Sequence, residues 1–373
     1  MSSVSLRVIV VDDTIVYRMI MKSVAEMIPG VEVVASASNG LTALDKIARD
    51  RPDVVLLDVE MPVMDGLTAL QRITREYPDV TVIMVSGVSR SNASIVMECL
   101  GAGAMDFVTK PLEQNPDKAR DALRIDLEPI FSVVRQKKQR ALEGGATPAA
   151  PVTRMVPRRS EAVPTRVVPQ AQVSPPVRSP AVVCPRLVLI GSSTGGPAAL
   201  TSLMASIVRP LPVPVLIVQH MPPLFTTSLA HQLDRVSCMD VREAEDGMGI
   251  RPGLVVLAAG GRHMVVRPAG ERLEIGLHDG PKVNECRPAV DVLFASVAAL
   301  DNMPVLAVVL TGMGRDGANG VGGLRQSGAT YCITQSRDSC VVYGMPRSVE
   351  ELGLSDESLP IEQIGPRIME ICG

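Results

Sequence analysis

The sequence predicts two α/β domains, each a mainly parallel, doubly wound sheet covered by helices, joined by a basic proline-rich segment. Three observations carry this. Short runs of Val, Leu and Ile alternate with amphipathic stretches on both sides of the chain's middle, the pattern of strands buried on both faces. The length of 373 residues exceeds twice that of an average domain. The composition also changes sharply between Lys137 and Arg186.

In residues 1–136, Leu6–Val11 is an apolar run followed by Asp12-Asp13-Thr14, an acidic turn able to cap a helix. Ile15–Ile28 places Met, Val and Ile at helical spacing and stops at Pro29-Gly30. Further strands are expected at Val31–Ala35, Val54–Leu57, Thr81–Val85 and Asp106–Val108. Helices are expected over Leu41–Ala48 and after Asp65-Gly66. Parallel sheets carry their functional groups at the carboxyl ends of strands. Asp12, Asp13, Asp58, Ser86 and Lys110 all fall there. Three converging carboxylates repel one another unless a cation joins them, and hard oxygen ligands suit Mg²⁺, which also binds phosphoryl oxygens. Lys110 and the Ser86 hydroxyl would take up the remaining phosphate charge. The set reads as a carboxylate that accepts a phosphoryl group. A turn or cap role accounts for any one of these residues, but not for all five.

Residues 6–125 resemble the receiver domain of two-component response regulators, a flavodoxin-like (βα)5 fold. The resemblance rests on Asp12-Asp13, Leu57-Asp58-Val-Glu-Met-Pro-Val-Met-Asp-Gly66, Met84-Val-Ser86 and Asp106-Phe107-Val-Thr-Lys110-Pro111. It implies Asp58 as phosphoacceptor, with Asp12, Asp13, Asp58 and the main chain of Glu60 around Mg²⁺. It places Ser86 and Phe107 at the switch pair and Lys110 beside the phosphoryl group. In that family the hydroxyl moves toward the phosphoryl group and the aromatic ring turns inward. A histidine kinase is the implied phosphodonor.

Residues 137–186 hold nine of the thirty Pro and nine Lys or Arg against two acids, Glu143 and Glu161. They show neither helical nor strand periodicity, the composition of a solvated, extended linker. Their net charge of +7 leaves −10 on the two folded parts. Docking of Arg154, Arg158, Arg159 and Arg166 on an acidic partner is a weaker alternative to a plain spacer.

The second domain is expected over residues 187–373. Leu187–Ile190 runs into Gly191-Ser-Ser193-Thr-Gly195-Gly-Pro197 and a helix to about Val208. Gly191–Gly195 satisfies G-x-S-x-G between a buried strand and a helix, which exposes a nucleophilic serine beside free helix N–H groups. Such a turn also binds phosphate or merely connects two elements. Of four His, His220 ends the strand Val213–His220 at the same sheet edge as Ser193 and is the best-placed base. His231 reads as a surface residue of a helix, and His263 and His278 lie in a turn-rich stretch, Gly260–Pro288. Val305–Leu310 is the most apolar strand and leads into Thr311-Gly-Met-Gly-Arg-Asp316-Gly317. Asp316 would orient His220, or only cap the helix that follows. The order Ser…His…Asp differs from the Ser…Asp…His of α/β-hydrolases and disfavours that fold.

This half resembles, along essentially its whole length, the catalytic domain of the chemotaxis protein-glutamate methylesterase family. The stretches are Ile190-Gly-Ser-Ser193-Thr-Gly-Gly, Val218-Gln-His220-Met-Pro-Pro, His263-Met264, His278-Asp-Gly-Pro, Arg287-Pro-Ala-Val-Asp-Val-Leu-Phe294, Leu310-Thr-Gly-Met-Gly-Arg-Asp316-Gly and Cys340-Val-Val-Tyr-Gly-Met-Pro346. The resemblance implies Ser193, His220 and Asp316 as nucleophile, base and orienting acid, with Thr194 and Met313 lining the site. It implies demethylation of glutamate methyl esters on chemoreceptors, deamidation of receptor glutamines, and no cofactor in this domain. It also implies a receiver that covers the active-site mouth until phosphorylated. A serine hydrolase of another ester and a non-enzymatic partner-binding domain stand as alternatives.

Composition excludes other classes. Aromatic residues are 2% of the chain and the net charge is −3, against nucleic-acid binding by stacking or by a basic field. No apolar run approaches the ~18 residues of a membrane span. The start, Met1-Ser-Ser-Val-Ser-Leu-Arg7, lacks the regions of a signal peptide. Seven Cys without a C-x-x-C pair read as reduced, buried thiols of a cytoplasmic protein.

Overall fold

The strands of the first half are continuous apolar runs because both their faces are covered. A computed structural model describes residues 4–111, 115–143, 184–300 and 302–373. In it the first half runs β1 (Leu6–Val11), α1 (Ile15–Met27), β2 (Val31–Ala37), α2 (Gly40–Asp50), β3 (Val54–Asp58), α3 (Gly66–Glu76), β4 (Thr81–Ser86), α4 (Arg90–Gly101), β5 (Asp106–Thr109) and α5 (Pro116–Glu143). The sheet is parallel in the order β2-β1-β3-β4-β5. Side chains placed by sequence start three helices: Asn39, Asp65 and Ser89 accept from the amides of Thr42, Thr68 and Asn92. Gly66 is required by close approach, since a Cβ there would lie 2.1 Å from the Asp58 carbonyl.

The second half runs β6 (Leu187–Ser192), α6 (Gly196–Ser206), β7 (Val215–Gln219), α7 (Phe225–Val236), β8 (Asp240–Glu243), β9 (Leu254–Leu257), β10 (His263–Ala269), β11 (Arg272–His278), α8 (Val290–Ala298), β12 (Val305–Val309), α9 (Ala318–Ser327), β13 (Thr330–Gln335), α10 (Met345–Glu351), β14 (Glu357–Leu359) and α11 (Ile361–Cys372). Seven parallel strands take the order β14-β13-β12-β6-β7-β9-β8, and β10-β11 form a separate antiparallel hairpin. Three of the chain's four Phe, at 131, 225 and 294, are fully buried, and the cores are otherwise aliphatic. Helix α4 packs on α6 and α7, so one apolar core passes from the first half into the second.

Three expectations need correction. The last helix of the first half continues to Glu143, through residues 137–143 that the composition shift assigned to the linker. Its basic residues had hidden a helix whose apolar side covers the sheet: Leu123, Leu127, Ile130, Phe131 and Val134 are buried against β1, β3 and β4. The rest of the Pro-rich segment, with Arg154, Arg158, Arg159 and Arg166, lies outside the described residues up to 183. The stretch 260–288 is not only turns, for His263–Ala269 and Arg272–His278 pair as a hairpin. Finally, all seven Cys are free, but only Cys99 and Cys332 are buried; Cys184 and Cys238 are exposed.

Candidate active site and phosphoacceptor pocket

Strands β1 and β3 are neighbours whose connections leave in opposite directions, which opens a crevice at their carboxyl ends. Asp12 and Asp58 stand in it, 0% and 3% exposed, with Asp13 at the rim. One oxygen from each of the three lies within 4.8 Å of the others. Lys110, just past β5, reaches Asp12 at 2.7 Å and Asp58 at 2.8 Å. One ammonium against three carboxylates leaves two negative charges on clustered oxygens, a donor set that fits a hard divalent cation. Burial, with the Asp12 charge, pushes the Asp58 carboxyl up to about 6 although Lys110 pulls the other way. The Ser86 hydroxyl is buried and turned onto its neighbour, donating to the Gly87 carbonyl at 3.0 Å. Phe107 stacks on Phe225 of the second half, centroids 4.6 Å apart.

The second sheet has its own divergence point at β6, which lies between β7 and β12. Ser193 follows β6, His220 follows β7, and Asp316 lies in the loop after β12. Ser193 alone in 191–197 keeps partial exposure; its neighbours are buried. Gly195 begins α6 at φ 76°, the left-handed region that favours glycine. Gln219, 2% exposed, was not singled out from the sequence, yet it ties Ser193 to His220. Its amide nitrogen donates to the Ser193 carbonyl at 2.9 Å and to the His220 carbonyl at 3.3 Å, while its oxygen accepts from Ser192 at 2.7 Å. A Cβ at residue 196 would lie 1.9 Å from that oxygen, so the second glycine of Gly195-Gly196 makes room for Gln219.

His220 Nε2 lies 2.7 Å from Asp316 Oδ2. The carboxylate accepts three further bonds: Val290 N–H at 2.6 Å, Asp291 N–H at 3.0 Å and Asn284 Nδ2 at 2.8 Å. It therefore caps α8, not the helix that follows it. Asp291 does that instead, accepting from Gly317 and Gly320 at 2.9 and 2.7 Å. Burial works against the Asp316 charge, but His220 and the α8 amides hold its carboxyl below the usual carboxylate range. Burial likewise pushes the His220 imidazole down, and is outweighed by Asp316 and Cys286, which carry it up to about 9. The other ring nitrogen, Nδ1, is 3.4 Å from the Cys286 sulfur. Both nitrogens are thus engaged, and among the described residues the Ser193 hydroxyl makes no hydrogen bond to the ring. Cys286 and Asn284 were missed because nothing in their spacing marks a loop that returns to the sheet edge.

The first half lies over this site. Asp106 bonds the Thr194 side chain, next to Ser193, and burial pushes its carboxyl up to about 6. Met313 packs against the core of the first half. It also lines a cleft of about 910 Å³ between the halves, with Met105 and Arg140 on one wall and Tyr343 and Arg347 on the other.

These features define a two-part chain, an acidic receiver-type α/β domain set against an α/β unit with a serine at its sheet edge. Residues 8–123 match the response regulator receiver domain and residues 188–368 the CheB methylesterase. A protein-glutamate methylesterase/protein-glutamine glutaminase of Desulfotalea psychrophila is 40% identical over 98% of this chain and 98% of its own. One of a group 2 operon of Rhodopseudomonas palustris is 42% identical over 98% and 94%. The crystal structure of the Thermotoga maritima CheB methylesterase catalytic domain is 39% identical, covering 50% of this chain and 98% of that one, with a TM-score of 0.48. The chain belongs to the protein-glutamate methylesterase/protein-glutamine glutaminase family.

Proposed function

We propose that this protein is a phosphorylation-activated serine hydrolase that removes methyl esters from chemoreceptor glutamates and deamidates receptor glutamines. The observation that carries the reading is the His220–Asp316 pair, 2.7 Å apart at the sheet edge that bears Ser193. Family membership favours it over a non-catalytic output domain.

Ser193 Oγ attacks the ester carbonyl carbon while His220 takes its proton. The oxyanion forms at the N-terminus of α6, beside Thr194 and Met313, where the helix dipole favours negative charge. The intermediate collapses to an acyl-enzyme as His220 returns the proton to the departing methoxide, giving methanol. Water then attacks with the same base and frees both glutamate and serine. From a glutamine the leaving group is ammonia. Asp316 stays ionised, fixing the ring and its charge.

In the receiver, Asp58 accepts the phosphoryl group from a histidine kinase. Asp12, Asp13, Asp58 and the Glu60 main chain would hold Mg²⁺, which neutralises phosphoryl oxygens when bound. Lys110 moves from its carboxylate partners to the phosphoryl group, and the Ser86 hydroxyl turns from Gly87 toward it. Phe107 then follows inward and leaves Phe225, which loosens the cover over Ser193. The domains read as a receiver closing with α5, a basic Pro-rich linker and a catalytic domain from Leu187. No described helix is long and apolar enough to cross a membrane, in keeping with an enzyme that meets its receptors from the cytoplasm.

The test is methanol release from methylated receptor membranes, with and without a small phosphodonor such as acetyl phosphate. Ser193→Ala is expected to lose about 10⁴-fold or more in turnover, and the wild type to accelerate with phosphodonor. Methanol release by Ser193→Ala at the wild-type rate sinks the assignment.

A further inference from the structure

Cys286 is the described cysteine whose sulfur touches an imidazole, 3.4 Å from His220 Nδ1. Burial pushes the thiols of Cys99, Cys332 and Cys340 up to about 12 and that of Cys372 up to about 11; Cys238 donates to the Ile207 carbonyl. Cys286 is half-buried. Its position is built. Its N–H and C=O pair with Val283 at 2.9 and 3.1 Å, closing a short loop. Asn284 in that loop bonds both Asp316 and Asp291. Cys286, His220 and Asp316 therefore stand in a row as thiol, imidazole and carboxylate, the order of a nucleophile, its proton acceptor and the group that orients it.

We propose that Cys286 is an oxidant-sensitive modification site that locks the base of the esterase, with a hydroperoxide as its reagent. With the His220 ring neutral, the thiol proton passes to its Nδ1, and the sulfur attacks one peroxide oxygen. An S–O bond forms as the O–O bond breaks. Sulfur loses two electrons to the peroxide, and the departing hydroxide takes the proton from His220 and leaves as water. The product, Cys286 sulfenic acid, keeps a hydroxyl on Nδ1, the nitrogen that Ser193 needs because Nε2 is held by Asp316. Two equivalents of a thiol reductant restore Cys286, yielding a disulfide and water. This rests on the reading of His220 as the base of Ser193.

The experiment treats the full-length protein with hydrogen peroxide. It follows methanol release together with the modification of each cysteine by mass spectrometry, using a sulfenic-acid reagent and, on untreated protein, iodoacetamide. Cys286 is expected to be modified about tenfold faster than Cys99 or Cys332, and hydrolysis to fall in step and return with dithiothreitol. Whatever turnover Cys286→Ala retains should be insensitive to peroxide. In His220→Ala, iodoacetamide labelling of Cys286 should slow about tenfold relative to Cys238, a readout that needs no esterase activity. Equal peroxide sensitivity in Cys286→Ala, or labelling of Cys286 indifferent to His220, overturns the proposal. A fault in the esterase assignment shows separately, as methanol release surviving in Ser193→Ala.

Discussion

Both sites stand where a parallel sheet sends its connections in opposite directions, at β1 and β3 in the receiver and around β6 in the catalytic half. The crevice is the same and the electrostatics are opposite. The receiver gathers three carboxylates around one lysine and is left with negative charge, so it stays receptive to a cation and a phosphoryl group. The catalytic half saturates its buried Asp316 with an imidazole, a carboxamide and two helix N–H groups. The first arrangement is unstable by itself and can be switched. The second has its carboxylate charge already satisfied by its own neighbours. That difference teaches why regulation sits in one half and chemistry in the other.

The largest test of the contrast removes the charge of Asp316. Asp316→Asn keeps the shape but cannot stabilise an imidazolium, and one of its amide protons meets a donor from Val290 or Asp291. Turnover should fall about 10²- to 10⁴-fold, with Asp58 still accepting phosphate from a small phosphodonor. Methanol release and phosphorylation measured on the same sample check both. Unimpaired turnover would mean that Asp316 only caps α8.

Much of this was legible in the sequence. The strand runs are apolar enough to read as parallel, and Asp12, Asp58, Lys110, Ser193, His220 and Asp316 all fall at strand ends, where position alone marks them. What was not legible depends on chain segments folding back over those ends. Asn284 and Cys286 reach His220 and Asp316 from a loop far along the chain, with Asn284 and Glu285 at positive φ. Gln219 lay inside an apolar strand and looked like part of it. The stacking of Phe107 on Phe225 joins two domains, and neither domain's periodicity records the other. Helix α5 was cut short because its solvent face and the linker share the same basic composition.

A smaller effect follows from His220. Its imidazole is held up to about 9, because Asp316 and Cys286 outweigh the burial that pushes it down. A base must be neutral, so for the unphosphorylated enzyme kcat/KM should rise about tenfold per pH unit below that value and level off above it. The stability linkage has the matching sign. The folded value lies above the ordinary one of about 6.5, so the pair's contribution is fully present below about 6.5 and is lost as pH rises through about 9. A pH profile of methanol release checks the first, and thermal unfolding across the same range the second. A rate already flat between pH 6 and 8 would show a neutral imidazole and break the account of the resting site.

The smallest effect concerns the joint between the halves. Stacked rings such as Phe107 and Phe225 contribute about 0.5–1.5 kcal/mol beyond their burial. Phe107→Ala should release that much of the cover over Ser193 without phosphate. Converted to population, it raises unphosphorylated turnover about 2- to 10-fold and shrinks the stimulation by phosphodonor by the same factor. Phe225→Ala should do likewise, and the double variant no more than either single one, because both remove one interaction. Additive effects in that cycle, read as methanol release before and after acetyl phosphate, would place the coupling elsewhere. The Asp106–Thr194 bond would then be a direct link from the receiver to the neighbour of Ser193.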